Sequence, residues 1–250
     1  LNSKSFRSFA SKFVGKISFF QSFIKFRITL VKSVKMGKNK EISKAGLAII
    51  LSRLKGFDKG KVRAEQYMTD SEIAAFVLWQ AFYSGKVRVK SIADLGCGTG
   101  ILGIGALILG AKKVYFVDSD ENSLKIAKSN LDYVKSEDSL KDMIKGKAEF
   151  ICKDIADFSE KADTVIMNPP FGVKVRHADR VFLEKAVGIA DTIYSFHKSE
   201  SDMFIKAFSR DNGFRVVNVF GFNWPLKATM KFHSRKIRRI KVSCFVLEKV

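Results

Sequence analysis

The sequence predicts an α/β fold, a doubly wound sandwich on a seven-stranded, mostly parallel sheet with helices on both faces. Three observations lead there. Short apolar, β-branched runs alternate with helix-length segments from Ser91 onward. A glycine-rich turn, Gly96-Cys97-Gly98-Thr99-Gly100, follows the first run without a gap. A later run, Asp163-Thr164-Val165-Ile166-Met167, stops at Asn168-Pro169-Pro170-Phe171-Gly172, where two prolines can neither continue a strand nor enter a helix interior.

From the amino end, residues 1–35 stand apart: they hold eight Lys or Arg, no Asp or Glu, and seven Phe among many Ser. This composition fits a transit peptide, a basic-aromatic arm for RNA, or translated upstream sequence. The last is favoured, because the chain opens on Leu1, Met36 is the first methionine, and a helix with a charged start is expected directly after it. The expected organisation is therefore a basic Phe/Ser-rich segment, 1–35, outside the fold, and one domain over 36–250.

Leu47, Ile50, Leu51 and Leu54 recur at helical spacing, ending near Gly56. Thr69-Asp70-Ser71-Glu72 reads as a capping box that opens a helix with Ile73, Phe76 and Val77 inward. Between them, Glu65-Gln66-Tyr67-Met68-Thr69 forms a polar-aromatic junction. Strands follow at 91–95 and 113–118, with an apolar helix over 101–109 and a helix capped by Asp120 that runs to about Asn130. Residues 135–147 read as a polar surface excursion. Further strands are expected at 149–152, 164–167, 192–196, 214–220 and 240–247, with helices near 179–190 and 199–209.

Hydrophobic residues make up 46% of the 250, which suits a packed domain, and the net charge of +20 points to nucleic acid or another anionic surface. Without residues 1–35 the chain still has 37 basic against 25 acidic residues. No apolar run nears the ~18 residues of a membrane span. Cys97, Cys152 and Cys244 are scattered, as are the three histidines, so no metal site is expected and the thiols read as reduced, in the cytoplasm.

Glycines directly after a buried strand let backbone approach a ligand that a Cβ would block, and the next helix aims its N–H groups there. Asp118, ending the second strand, can take both hydroxyls of a ribose, so an adenosine-containing cofactor is expected. Gly98-x-Gly100-x-x-Gly103 fits the dinucleotide fingerprint, whereas counting from Gly96 gives G-x-G-x-G with Asp94 ahead. Asp154, after the third strand, reads equally as a turn cap or an adenine contact. At the fourth strand's end, Asn168 and the Pro169 carbonyl can accept both N–H bonds of an aryl amine and so favour its pyramidal, nucleophilic form, while Phe171 can stack on its ring.

In chain order, Glu65-Gln66-Tyr67-Met68-Thr69, Asp94-Leu95-Gly96-Cys97-Gly98, Val165 through Gly172, Tyr194-Ser195-Phe196-His197-Lys198 and Lys231-Phe232-His233 resemble the methyltransferase-like protein five family. The resemblance covers about residues 38–250. It implies a Rossmann-like class I methyltransferase that uses S-adenosylmethionine to methylate N6 of an adenosine in small-subunit ribosomal RNA. It also implies cofactor contacts from Gln66, Thr69, Asp94, Gly96, Gly98, Thr99, Ile101, Asp118, Asp154 and Ile155, and catalysis by Asn168, Pro169, Pro170 and Phe171. Some members differ at Met68 and Thr99, where backbone contacts are expected. Eukaryotic members work with a small zinc-containing activator subunit that pairs with an exposed strand, so such a partner is an expectation here.

Lys174 and Arg176, just after the proline loop, and Lys231, His233, Arg235 and Lys236 near the C-terminus, together with Lys198, read as a phosphate-binding rim. His177, Arg180, Lys227, Arg238, Arg239 and Lys241 extend it, and His197 is a candidate for the pocket. The N-P-P-[FY] tetrapeptide also serves guanine-N2 and glutamine-N5 methyltransferases. The competing readings are those two activities and a non-catalytic RNA-binding subunit. A dehydrogenase would leave the proline loop without a role.

Overall fold

The structure is a computed structural model that describes residues 34–36, 40–57, 68–138, 140–170, 178–226 and 238–250. The chain divides into two compact units, residues 1–43 and 44–250. In the first, β1 (Val34–Met36) and β2 (Lys40–Ile42) pair antiparallel, with Val34 opposite Ile42. The boundary expected between residues 35 and 36 therefore runs through β1. No helix starts directly after Met36; β2 precedes the first one.

The second unit holds α1 (Lys44–Ser52), α2 (Ser71–Tyr83), β3 (Ser91–Leu95), α3 (Ile101–Ile108), β4 (Lys113–Asp118) and α4 (Glu121–Ser136). Then come β5 (Lys147–Cys152), β6 (Thr164–Met167), α5 (Ala178–Ile189), β7 (Thr192–Lys198), α6 (Asp202–Asp211), β8 (Phe214–Leu226) and β9 (Arg238–Lys249). Seven strands form one sheet in the order β5-β4-β3-β6-β7-β9-β8. The first five run parallel, and β9 is antiparallel to both β7 and β8.

The central strands are buried on both faces, which is why they read as unbroken apolar runs. Alternation sends Ala93, Leu95, Tyr115, Val117, Val165 and Met167 to one face, against Leu183 and Ala186 of α5 and Ile205 and Phe208 of α6. On the other face, glycines set the spacing. A Cβ on Gly103 would lie 2.3 Å from Cε1 of Phe116, and one on Gly105 would lie 2.4 Å from Cδ1 of Leu78. The helix α3 thus sits closer to β4 and α2 than alanine would allow.

Several elements differ in extent from expectation. The helix α4 continues six residues past Asn130, because Leu131 and Val134 keep the buried stripe of Leu124 and Ala127. The 135–147 connection is partly ordered by the end of α4 and a 3-10 turn at Lys141–Met143. Strand β8 runs to Leu226, through Gly221 and Pro225, since an edge strand pairs on one side only and tolerates both. The helix α2 is capped by Asp70 instead of Thr69: the Asp70 carboxylate accepts from Glu72 N at 3.0 Å and Ile73 N at 3.3 Å.

From β3 the chain proceeds outward through β4 to β5, then returns to the other side of β3 for β6 and β7. That reversal is a topological switch point, where the loops leaving β3 and β6 part and open a crevice at the carboxyl edge.

Candidate active site

The crevice takes its shape from three glycines held in the left-handed region, Gly96 at φ 66°, Gly98 at φ 53° and Gly100 at φ 82°. A side chain at any of these would be strained. The space is also closed: a Cβ on Gly96 would lie 2.8 Å from Cε1 of Phe182, and one on Gly98 3.1 Å from Cζ of Phe57. The turn is pinned to β4, with Gly96 N and Cys97 N both donating to the Val117 carbonyl at 2.8 and 3.0 Å. Gly98 N donates to Asp118 Oδ2 at 2.8 Å, and Asp120 N to Asp118 Oδ1 at 2.9 Å. Both Asp118 oxygens are thereby oriented, and each keeps a lone pair for a ligand hydroxyl.

Asp94 accepts from Gly103 N at 2.8 Å and is 1% exposed. Its carboxyl is pushed up to about 7, chiefly by burial, which the Gly103 N–H opposes and the charge of Asp118 reinforces. Burial likewise raises Asp118, opposed by its bonds from Asp120 and Gly98. Burial, and then Asp94 and Asp118, push the Cys97 thiol up, so it stays protonated and inert.

The cleft these groups surround is lined by Phe57, Met68, Thr69, Asp94, Gly96, Cys97, Gly98, Thr99, Ile101, Leu102, Asp118, Ser119, Asn168, Pro170 and Phe182. Two carboxylates and no Lys, Arg or His are among these described residues, in a chain of net charge +20. A pyrophosphate would meet two carboxylates and no cationic side chain among these residues, whereas a sulfonium with an ammonium would favour the ionised form of Asp94 that burial disfavours. The donor set thus fits S-adenosylmethionine and opposes a dinucleotide.

At the end of β6, Asn168 Nδ2 donates to Thr69 Oγ1 at 3.2 Å. The bond spans 99 residues of sequence and ties the end of β6 to the residue just before the α2 cap. It leaves Asn168 Oδ1 buried with no partner among the described residues, and Thr99 Oγ1 is in the same condition. An orphaned buried acceptor costs about 1–3 kcal/mol, so two beside one cleft mark places where a ligand completes the bonding.

The profile of the ribosomal protein L11 methyltransferase (PrmA) family matches residues 79–169. Methanocaldococcus jannaschii MJ0284 is 34% identical over 224 residues, 84% of this chain and 95% of that protein. The Danio rerio rRNA N(6)-adenosine-methyltransferase METTL5 is 33% identical over 195 residues, 77% of this chain and 92% of that protein. The chain belongs to the METTL5 family. Among solved structures, Pyrococcus horikoshii PH1948 is 41% identical with a TM-score of 0.73, covering 83% of this chain and 98% of that one. The METTL5-family fold is thus the Rossmann-like class I methyltransferase fold, and S-adenosylmethionine is its cofactor.

Of the site residues expected in this METTL5-family chain, Thr69, Asp94, Gly96, Gly98, Thr99, Ile101, Asp118, Asn168 and Pro170 come together on the cleft wall. Pro169, between the last two, is buried and is not part of the wall. Asp154 stands exposed at the end of β5, where one carboxylate oxygen accepts from Ala156 N at 2.9 Å and caps a 3-10 turn. Ile155 turns its side chain into the core. Gln66, Phe171, Lys174, Arg176, His177, Lys227, Lys231, His233, Arg235 and Lys236 lie outside the described residues. Arg180 pairs with Glu184 at 2.8 Å.

His197 does not line the cleft. It is 2% exposed, its Nε2 lies 2.6 Å from Ser195 Oγ, and its Nδ1 is 3.7 Å from Asp179 Oδ2 in the first turn of α5. That contact holds the Asp179 carboxyl below the usual carboxylate range. Lys198 ends β7 and is also absent from the cleft wall. Sequence reasoning missed Phe57, Leu102, Ser119 and Phe182 as wall residues. Ser119, immediately after Asp118, was findable by position; Phe182 reaches the cleft from α5, which no local pattern signals.

Proposed function

We propose that this chain transfers a methyl group from S-adenosylmethionine to the N6 amine of an adenosine in small-subunit ribosomal RNA. The observation that carries the reading is the Asn168 carbonyl oxygen, buried without a partner among the described residues and oriented through Nδ2 by Thr69, at the carboxyl end of β6. Relatives named rRNA N(6)-adenosine-methyltransferase, at 30–33% identity over most of the chain, support the acceptor. The PrmA profile ends at Pro169 and so covers the cofactor half without the 178–250 half, giving no support to a protein acceptor.

S-adenosylmethionine supplies an electrophilic methyl group on a sulfonium. Asp118 would hold its ribose, Thr99 and the Gly96–Gly100 turn its amino-acid end, and Asp94 would offset its positive charge. Asp154 and Ile155 would meet the adenine, and Gln66 and Thr69 would also contact the cofactor. An exocyclic aryl amine is a weak nucleophile because its lone pair is delocalised. Accepting its N–H bonds at Asn168 Oδ1 and the Pro169 carbonyl concentrates that pair on nitrogen. Pro170 stiffens the turn and Phe171 stacks on the base. The amine becomes acidic only after the methyl arrives, so water can remove its proton and no strong base is required. The adenine must be single-stranded or flipped from its stack to reach this depth.

Lys174, Arg176, Lys198, Lys231, His233, Arg235 and Lys236 would hold the RNA phosphates, giving an affinity that falls steeply with salt. A small zinc-containing activator subunit would pair along an open edge of the sheet, which ends in β5 and β8; full activity of the chain purified alone would remove that requirement. A cytoplasmic setting is supported by the free Cys97, Cys152 and Cys244, and no helix among the described residues is long and apolar enough to cross a membrane. Cell fractionation checks it.

The deciding experiment incubates the protein with S-adenosylmethionine and unmodified small-subunit ribosomal RNA and reads the nucleosides by mass spectrometry. N6-methyladenosine should appear. Asn168→Ala should lower its rate by roughly 100-fold or more while cofactor binding persists. Undiminished transfer by that variant would remove Asn168 from its role, and methylated glutamine peptides with unmodified RNA would overturn the acceptor.

A further inference from the structure

We infer that Asn130, on the buried face of α4, is a positioning residue that assembles one corner of the cofactor pocket from behind. The inference rests on the cleft being the cofactor site. Asn130 is 1% exposed, and its amide spends its donors and its acceptor on main-chain groups of two other segments. Its Oδ1 accepts from Lys55 N at 2.8 Å, while Nδ2 donates to the Lys55 carbonyl at 3.0 Å and the Thr99 carbonyl at 2.9 Å. These partners lie 75 and 31 residues away in sequence.

Both segments so held reach the cleft within two residues. Thr99 itself lines it, with a hydroxyl buried and without a partner among the described residues. Phe57, two residues beyond Lys55, presses its ring towards Gly98, where an added Cβ would lie 3.1 Å from Cζ. One amide therefore sets the distance between the glycine turn and the ring facing it. The glycine turn is held by its own bonds to β4, but Lys55 lies in no helix or strand, and the Asn130 amide ties it to the turn. A buried amide with its donors and acceptor all satisfied has one low-energy placement, and losing it removes a partner from three main-chain groups.

The pocket is thereby ordered before cofactor arrives, so removing the amide should weaken cofactor binding and spare the transfer step. Asn130→Ala should raise the Kd for S-adenosylhomocysteine and the KM for S-adenosylmethionine roughly tenfold, the equivalent of one or two lost hydrogen bonds. The kcat at saturating cofactor and the KM for RNA should stay within about twofold. Asn130→Asp keeps the shape but aims an oxygen at two carbonyls, and should be at least as weak. Combined with Phe57→Ala, Asn130→Ala should lose less than the two separate losses multiplied, since both act on the same wall.

Ile205→Ala, in the core of the opposite face, serves as a control for lost stability and should leave the cofactor Kd unchanged. An Asn130→Ala Kd equal to wild type, or a Kd loss matched by Ile205→Ala at equal Tm, would overturn the inference. A fall in kcat with an unchanged Kd would do the same. Failure of the wild-type protein to bind either cofactor form would instead overturn the assignment of the cleft.

Discussion

Cofactor affinity should depend on pH through Asp94, and the dependence can be worked from its surroundings. Burial holds this carboxyl at about 7, against 3.8 when free. A carboxyl whose folded pKa lies above its unfolded value binds its proton more tightly in the native state. The unliganded protein should therefore lose stability as pH rises from about 4 to about 7. A cationic cofactor reverses the balance, because it favours the charged carboxylate and expels the proton. With the carboxyl at about 7, ~3% of Asp94 is ionised at pH 5.5 and half at pH 7.0, so affinity should climb roughly fifteenfold across that window. The cofactor's own α-amino group stays protonated throughout it. Isothermal titration in two buffers of different ionisation enthalpy would measure both the affinity and the proton released, close to one per cofactor at pH 6. Asp94→Asn keeps an acceptor for Gly103 N and removes the titration, so its affinity should be nearly flat with pH. A flat wild-type profile, or an unchanged slope in Asp94→Asn, would refute the coupling.

Two further outcomes follow from packing and hydrogen bonding. Thr69→Val removes the acceptor that orients the Asn168 amide and should lower kcat roughly tenfold at saturating cofactor, while Thr69→Ser keeps most of the rate; single-turnover kinetics would separate this from any change in binding. Gly146→Ala would place a Cβ 2.1 Å from the Ala111 carbonyl oxygen, forcing main chain apart at the start of β5. It should cost about 1–3 kcal/mol, seen as a lower Tm by differential scanning calorimetry.

What the sequence discloses follows the range of the forces involved. The central strands were legible because burial on both faces demands unbroken apolar runs, and Asn168 because Pro169 and Pro170 halt the chain beside it. Gly96 and Gly98 were legible because the turn needs φ values that only glycine adopts freely, and Asp94 and Asp118 because one precedes that turn and the other ends the next strand. The Thr69 contact with Asn168 was not, since nothing local pairs residues 99 apart. The capping box misled by one position: Asp70 took the cap and released the Thr69 hydroxyl to the site. Phe57 and Phe182 are ordinary aromatics until packing brings them against Gly98 and Gly96. The hairpin of β1 and β2 was missed because three-residue strands carry no measurable period. Asn130 reads as a polar residue near a helix end, and only the tertiary arrangement shows that it faces inward.

The sheet order carries a consequence for how this chain reaches its native state. Strand β9 follows β8 in the chain, yet it lies inside the sheet, between β7 and β8. Until β9 arrives, β7 presents an open row of amides and carbonyls, and β8 has no neighbour at all. During synthesis there is thus an interval in which both strands are available to the wrong partner, an invitation to intermolecular pairing and aggregation. A chain shortened before Arg238 would keep the cleft residues and all five parallel strands, but it would be caught permanently in that interval.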